Sequence, residues 1–466
     1  MSTAIQRLVV LMLENRSFDH MLGFLKRGNP AINGLVGSEK NPPAIDSRPD
    51  VQVSDRAGDV RDLDPDPGHD FEDVTRQIFG SLDSTQPATM DGFVQDYARV
   101  SNNAIHGENI MRCFKPETLP ILATLATQYG VCDRWFSSVP GSTIPNRMFV
   151  HGASSAGSAS QDAVASPFLL KTIFESFGPN TIHTYKIYTS GASILMANKY
   201  LVQHQAKFAD YSQFEADALH GNLPAYTFIE PRYDDDDTGN YANSQHPDFP
   251  VDQGEKLIAD VYNILTKSPR WKNTLLLIIY DEHGGIFDHV APPTVKCKPE
   301  NAHLPVPPTG PPFNFDFTRL GIRVPAVFVS PCIRPGTIIN DRDYEHSSVV
   351  ATVRKLFCPD TPPLTWREAQ AATFENVLTL EGNDIRDDIV PLPTWFTSPG
   401  VVNLSAAEAL RKPTDLSVLL AQTMHYSLKQ RGIEPPGDPN TMTTAAQFAA
   451  YLKQASHLSL NPPGDH

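Results

Sequence analysis

Two stretches constrain the fold more than any others. Leu8-Val-Val-Leu-Met-Leu13 and Thr274-Leu-Leu-Leu-Ile-Ile-Tyr280 are short runs of apolar residues with no polar alternation. Such runs suit central parallel strands covered on both faces, because a strand with one wet face alternates. Each run breaks off into polar residues: Glu14-Asn15 after the first, Asp281-Glu282-His283-Gly284-Gly285 after the second. In open α/β sheets, ligands gather outside the carboxyl ends of the strands. Adjacent acids at a strand end suit a hard or borderline metal ion, and the glycines let the backbone turn sharply beside it.

The remaining pattern alternates strands with helices. After the first run, Phe18, Met21, Leu22 and Leu25 recur at helical spacing, with Ser17 placed to cap and Gly28 to stop. A helix is expected over 118–130, with Pro120 near its start and Gly130 as its end. Pro145 suits the first turn of a helix over 146–153, which sets Ser142 or Thr143 beside a helix N-terminus. A hydroxyl there is a plain cap, an anion ligand or a nucleophile.

Further helices are expected at 168–177, across Leu257 to Leu265, and behind Ser347 or Ser348 with Val349, Val350 and Val353 on one face. Strands are expected at 184–188, 225–229 and 324–329. Residues 29–85, rich in Pro, Gly and Asp, read as long surface loops, and 291–312 as a Pro-rich excursion. The acidic run Asp234 to Asp237 reads as a solvated loop, with calcium binding as the alternative. Past Pro362 the alternation is lost, and 404–431 and 443–456 read as helical. The expected organisation is a catalytic domain over 1–400 with a mainly helical covering appendage over 401–466.

Charge narrows the partners. With 53 acidic against 38 basic residues the chain carries −15, which argues against nucleic acid and against strong attraction to anionic membranes. Zwitterionic lipid surfaces remain open to peripheral contact. No apolar stretch reaches the ~20 residues of a membrane span. The first residues lack the charged and apolar regions of a signal peptide, so the expected location is the cytoplasm or a membrane periphery, or outside the cell if a leader has been removed. The five cysteines are scattered with no C-x-x-C pair, and read as reduced packing residues.

His69, His246, His283, His289 and His346 all fall in loops or at element boundaries. Carboxylates at strand ends, a hydroxyl at a helix start and several loop histidines make up the inventory of phosphoryl transfer by a metal-activated hydroxyl. The carboxylates hold the ion, the alkoxide attacks phosphorus, and histidines bind oxygens or move protons.

Six motifs sharpen this: Glu14-Asn-Arg-Ser-Phe-Asp-His20, Asp64-Pro-Asp-Pro-Gly-His69, Ser142-Thr-Ile-Pro-Asn-Arg147, Tyr280-Asp-Glu-His-Gly-Gly285 with Asp288-His289, Gly321-Ile-Arg-Val-Pro325 and Glu345-His-Ser-Ser348. Together, and in this order, they resemble the phosphoesterase family, which holds non-specific phospholipases C and an acid phosphatase branch. The resemblance implies an α/β fold, an alkaline-phosphatase-like three-layer α/β/α sandwich with a mostly parallel central sheet and long loop insertions. It implies one divalent metal ion (Ca, Mg, Mn or Zn) on Glu14, Asn15, Thr143, Asp281 and Glu282, with Thr143 also the nucleophile. His69, His246 and His346 would surround the phosphate, while His283, His289, Asn146 and Arg147 would bind substrate or support the ligands.

Threonine at position 143, where the acid phosphatase branch has serine, favours a phospholipase C acting on phospholipid. The alternatives are a broad phosphomonoesterase and an inactive metal- or lipid-binding protein. Gly141, Asp70 and Ile286 depart from the residues usual in relatives and bear on substrate preference.

Overall fold

The two apolar runs lie side by side at the middle of one eight-stranded sheet. The computed structural model describes residues 5–58, 63–160, 170–178, 181–235, 241–295, 315–394 and 413–460. The sheet strands are β1 (Arg7–Leu13), β2 (Gly130–Cys132), β3 (Tyr185–Thr189), β4 (Phe208–Asp210), β5 (Tyr226–Glu230), β6 (Thr274–Tyr280), β7 (Ala326–Val329) and β8 (Thr337–Ile339). Their spatial order is β8-β2-β7-β6-β1-β5-β3-β4, and only β7 runs against the others. All seven residues of β6 are buried, as a strand covered on both faces requires. Each large side chain so buried is worth about 1.5–3 kcal/mol of transfer free energy before entropy is charged.

The principal helices are α1 (Phe18–Leu22), α2 (Phe71–Phe79), α3 (Phe93–Val100), α4 (Pro120–Gln128), α5 (Thr143–Gly152), α6 (Ser212–Leu219), α7 (Val251–Lys267), α8 (Ser347–Phe357), α9 (Asp415–Gln430) and α10 (Ala445–Leu460). Helix α7 packs against both α4 and α6, all three lie against the sheet, and α5 packs with α8. The result is the expected three-layer α/β/α sandwich. From α7, the Glu255 carboxyl accepts from the Ile121 and Leu122 amides at 2.7 and 3.2 Å, tying the first turn of α4 to its neighbour.

Register decides where the site forms. Strands β1 and β6 pair in parallel with Leu13 opposite Tyr280, so Glu14-Asn15 emerges directly beside Asp281-Glu282. Because β7 is reversed, the residues just before it, including Arg323, return to the same edge of the sheet.

Several expectations need correction. Residues 29–85 are not only loops: α2 carries Phe71, Val74 and Ile78 at helical spacing. With α3 it builds a second apolar cluster that includes Phe24, Met90, Phe93, Tyr97, Ile286 and Phe287. The period is real but spans just nine residues. The helix expected at 146–153 begins at Thr143, with Ser142 as its extended N-cap; Pro145 sits third in the helix, where its missing N–H still costs nothing.

In place of a helix over 168–177 there is one 3-10 turn, Ile173–Ser176. Glu175 accepts from the Thr172 amide at 3.1 Å, which delays the turn's start, and Gly178 soon follows; positions 168 and 169 lie outside the described residues.

Cys113, Cys132, Cys332 and Cys358 are buried thiols, and Cys297 lies outside the described residues. So do Asp236, Asp237, most of the Pro-rich excursion and 395–412. Helices α9 and α10 place Leu420, Met424, Phe448 and Tyr451 in the same apolar cluster as the sheet. Ser417 of α9 donates to Asp234 at 2.7 Å.

Candidate active site

The centre is a buried group of oxygen-bearing side chains at the carboxyl ends of β1 and β6. Asn15 sits in the left-handed region at φ 52, which asparagine tolerates better than most residues. Its amide donates to Asp281 Oδ1 at 3.0 Å, and the Glu282 amide donates to the same oxygen at 2.8 Å. Gly284, at φ 66, lets the backbone pass Asn15: a Cβ there would stand 2.1 Å from the Asn15 carbonyl oxygen. The next oxygen comes from α5, whose first residue, Thr143, donates its hydroxyl to Asn15 Oδ1 at 3.3 Å.

Two residues of α5 hold Thr143 in place indirectly. Asn146 accepts from the Val139 amide at 3.0 Å and donates to the carbonyls of Val139, Gly141 and Ser142 at 3.2, 3.0 and 3.1 Å. Its amide is thereby committed to shaping the 139–142 turn. Arg147 lies one turn beyond Thr143. It donates through Nε to Asp281 Oδ2 at 3.0 Å, through Nη2 to the Leu13 carbonyl at 3.2 Å, and its Nη2 lies 3.8 Å from Glu14 Oε1.

Charge is left over in this group. Glu14, Asp281 and Glu282 are wholly buried, and one guanidinium faces them. Glu14 Oε1 and Glu282 Oε1 accept no hydrogen bond among the described residues. Burial holds Glu14 well above the carboxylate range against the pull of Arg147. Burial and the Glu282 charge push Asp281 up to about 6, again against Arg147. Burial would raise Glu282 too, but His69, His283 and the Gly284 amide bring it below its ordinary value. Buried carboxylate oxygens without donors are costly unless a cation meets them, so an all-oxygen set of this kind fits a hard divalent ion.

The histidines divide into three settings. His69 and His246 face each other with ring centroids 6.5 Å apart. Asp66 Oδ2 lies 3.7 Å from His69 Nδ1 and 3.7 Å from His246 Nε2, and Asp248 Oδ2 lies 3.6 Å from His246 Nδ1. Burial would lower His69, yet the charges of Glu282, Asp66 and Asp70 and a 2.9 Å bond to the Pro67 carbonyl raise it to about 10. His69 is therefore an imidazolium at neutral pH, electrostatically tied to Glu282.

His283 and His346 instead brace the carboxylates. His283 Nδ1 lies 3.4 Å from Glu282 Oε2, and its Nε2 meets Gln77 Oε1 at 2.7 Å. At His346, Trp135 Nε1 donates to Nδ1 at 3.3 Å, which leaves Nε2–H to donate to the Asp281 carbonyl at 2.6 Å. Burial pushes His346 down to about 4, so it is neutral with both nitrogens committed.

His289 stands in a different group. Its Nδ1 meets Asp19 Oδ2 at 2.5 Å and its Nε2 meets Asn33 Oδ1 at 3.2 Å. Arg323 donates to Asp288 Oδ1 and to Asp19 Oδ1, both at 3.0 Å. No hydrogen bond or ion pair among the described residues joins His289 to the group around Asp281.

Several participants escape sequence reasoning. Asp66 lies inside the Asp64–His69 motif, and Asp248 stands two residues past His246. Gln77 sits on α2, which was not expected. Tyr233, whose hydroxyl accepts from Arg147 Nη1 at 2.7 Å, has no local signal at all.

Non-specific phospholipase C6 of Arabidopsis thaliana is 43% identical over 389 residues, covering 80% of this chain and 72% of that protein. Non-specific phospholipase C1 of Arabidopsis thaliana is 41% identical over 401 residues, covering 84% and 74%. Among solved structures, a protein in the alkaline phosphatase superfamily from Vibrio parahaemolyticus aligns at 13% identity and TM-score 0.32, covering 51% of this chain and 60% of that one. The model of the phosphoesterase family matches residues 5–358. With that match spanning the sheet, Thr143 and every carboxylate described above, the chain belongs to the phosphoesterase family and is a hydrolase of phosphoric esters.

Proposed function

We propose that the protein is a phospholipase C, cleaving glycerophospholipids to diacylglycerol and a phosphorylated head group through a phosphothreonine intermediate. The observation that carries this is the Thr143 hydroxyl at the start of α5, bonded to Asn15 Oδ1 beside carboxylates whose outer oxygens lack donors. The names of the relatives support the lipid substrate.

In this reading Glu14, Asn15, Thr143, Asp281 and Glu282 would hold one divalent ion, Ca, Mg, Mn or Zn. Bound there, it would lower the pKa of the Thr143 hydroxyl and neutralise charge on the phosphoryl oxygens. Thr143, its proton lost to water, attacks phosphorus, and the bond from phosphorus to the glycerol oxygen breaks. His69, as imidazolium, protonates that departing oxygen. Water then attacks the phosphothreonine, His69 takes its proton, the bond from phosphorus to Thr143 breaks, and the Thr143 oxygen recovers its proton from water. His246 lies beside His69 to meet a phosphoryl oxygen. His346, His283, Asn146 and Arg147 keep the ligands in place, and His289 belongs to the support of the loops. Substrate reaches the site by peripheral contact with lipid; among the described residues no helix is long and apolar enough to cross a membrane.

The test is turnover of p-nitrophenyl phosphorylcholine beside p-nitrophenyl phosphate, by the wild-type protein and Thr143→Ala with added Mn2+. A preference for the diester that is lost in Thr143→Ala is expected. A strong preference for the monoester would sink the phospholipase reading, and unchanged turnover by the variant would remove Thr143 from its role.

A further inference from the structure

Among the described residues Arg147 is the one arginine or lysine paired with the carboxylates that follow β1 and β6, so what holds Arg147 bears on their geometry. One side of its guanidinium faces Asp281, Glu14 and the Leu13 carbonyl. The other side meets Tyr233. Arg147 Nη1 donates to the Tyr233 hydroxyl at 2.7 Å, and the guanidinium carbon lies 5.0 Å from the Tyr233 ring centre. The Tyr233 hydroxyl in turn donates to Glu230 Oε1 at 3.3 Å. Glu230 ends β5, the parallel neighbour of β1, and is fully buried, while Tyr233 is 7% exposed. A second rigid strand thus reaches the ligand group through one tyrosine. An arginine with a planar fork of donors transmits this well, since fixing one edge fixes the direction of the other.

We propose that Tyr233 is a positioning residue of the reaction, with Glu230 behind it: the pair sets the plane of the Arg147 guanidinium, and Arg147, through Asp281 Oδ2 and Glu14 Oε1, fixes the orientation of those two carboxylates. Tyr233 touches neither substrate nor cation. Groups that orient metal ligands in this way typically cost 10–100-fold in affinity or activity when removed, so the loss of one hydroxyl is expected to be readable at about tenfold. The proposal rests on the reading of Glu14, Asn15, Thr143, Asp281 and Glu282 as a cation site, and its test separates the two.

The probe is Mn2+ alone, titrated into the metal-free full-length protein and followed by calorimetry, with turnover of p-nitrophenyl phosphorylcholine measured separately at saturating Mn2+. Tyr233→Phe keeps the ring over the guanidinium and removes only the hydroxyl. It is expected to bind Mn2+ about tenfold more weakly and to lower kcat about tenfold with KM within about twofold. Glu230→Gln, which keeps an acceptor for the hydroxyl, should stay within about threefold of wild type, and Glu230→Ala should resemble Tyr233→Phe.

Equal Mn2+ affinity and equal kcat in Tyr233→Phe would overturn the proposal. So would a loss in Tyr233→Phe that appears only as a lower melting temperature, with the Glu230 pair indistinguishable from each other. Weakened Mn2+ binding in Tyr233→Phe, with wild-type protein inactive on every phosphoester, would uphold the positioning role and overturn the phospholipase reading. A wild-type protein that binds no Mn2+ and loses no activity in Glu14→Ala would overturn both.

Discussion

Two groups of buried carboxylates stand at the same edge of the sheet, and they are finished differently. Around Asp19 and Asp288, every carboxylate oxygen has a donor: Arg323, His289, and the amides of Asp19, His289 and Val290. Around Glu14, Asp281 and Glu282, Arg147 supplies one guanidinium, and two outer oxygens, Glu14 Oε1 and Glu282 Oε1, meet no donor among the described residues. The first group is complete as protein alone, so it serves to lock the loops after β1 and β6 together. The second keeps buried acceptor oxygens that its protein partners among the described residues do not meet and that the proposed cation would meet. A carboxylate cluster by itself says little about function; a buried oxygen without a donor asks for an explanation that a fully bonded one does not.

The comparison breaks most readily at Thr143. Thr143→Ala should cut phosphoester turnover by at least about 10³-fold while leaving Mn2+ binding measurable, which steady-state kinetics and calorimetry check together. Next in size is Arg323→Ala, which strands Asp19 and Asp288 without their cation. A loss of about 3–5 kcal/mol of unfolding free energy is expected by urea titration, with Mn2+ affinity of the surviving folded protein unchanged. Glu14→Gln should do the reverse, abolishing Mn2+ binding while the metal-free protein gains about 1 kcal/mol.

The pH response should differ as well. Asp281 in the folded protein is raised to about 6, so the folded state holds a proton that the unfolded chain has already released near its ordinary value. Its contribution to stability is present at acid pH, below the unfolded value, and is lost as pH rises through about 6. The metal-free protein should therefore weaken by about 1–3 kcal/mol between pH 4 and 7, and Asp281→Asn or saturating Mn2+ should flatten that slope in urea titrations. The smallest effect belongs to His289, which is partly exposed at the rim of the completed group. His289→Gln should leave turnover and Mn2+ affinity within about twofold of wild type; a larger loss would move His289 from the strut to the site.

What could be read from the chain follows from how local each feature is. The central strands were legible because seven consecutive buried residues leave an unbroken apolar run, and their polar ends marked the edge where chemistry occurs. Helix α2 was missed because its three anchoring residues span little more than two turns amid prolines, glycines and acids. Residue types near the centre were readable, and for Asn146 and His283 the sequence left both substrate binding and support of the ligands open. Asn146, His283 and His346 carry the right chemistry for binding substrate, and the hydrogen bonds that commit them come from residues up to 211 positions away. Tyr233 was silent for the same reason: its importance lies in Arg147, 86 positions back.

The pairing of Leu13 with Tyr280 has one more consequence. Leucine, isoleucine and valine exchange among themselves in β1 and β6 at modest cost, because either neighbour still fills the core. Length does not exchange. Removing a single residue from β1 would draw Glu14 back by about 3.3 Å and turn alternate side chains to the opposite face of the sheet. The spacing of the carboxylates is thus kept by the number of residues in two strands, and the chain's tolerance for insertion or deletion should be lowest where its tolerance for substitution is comfortable.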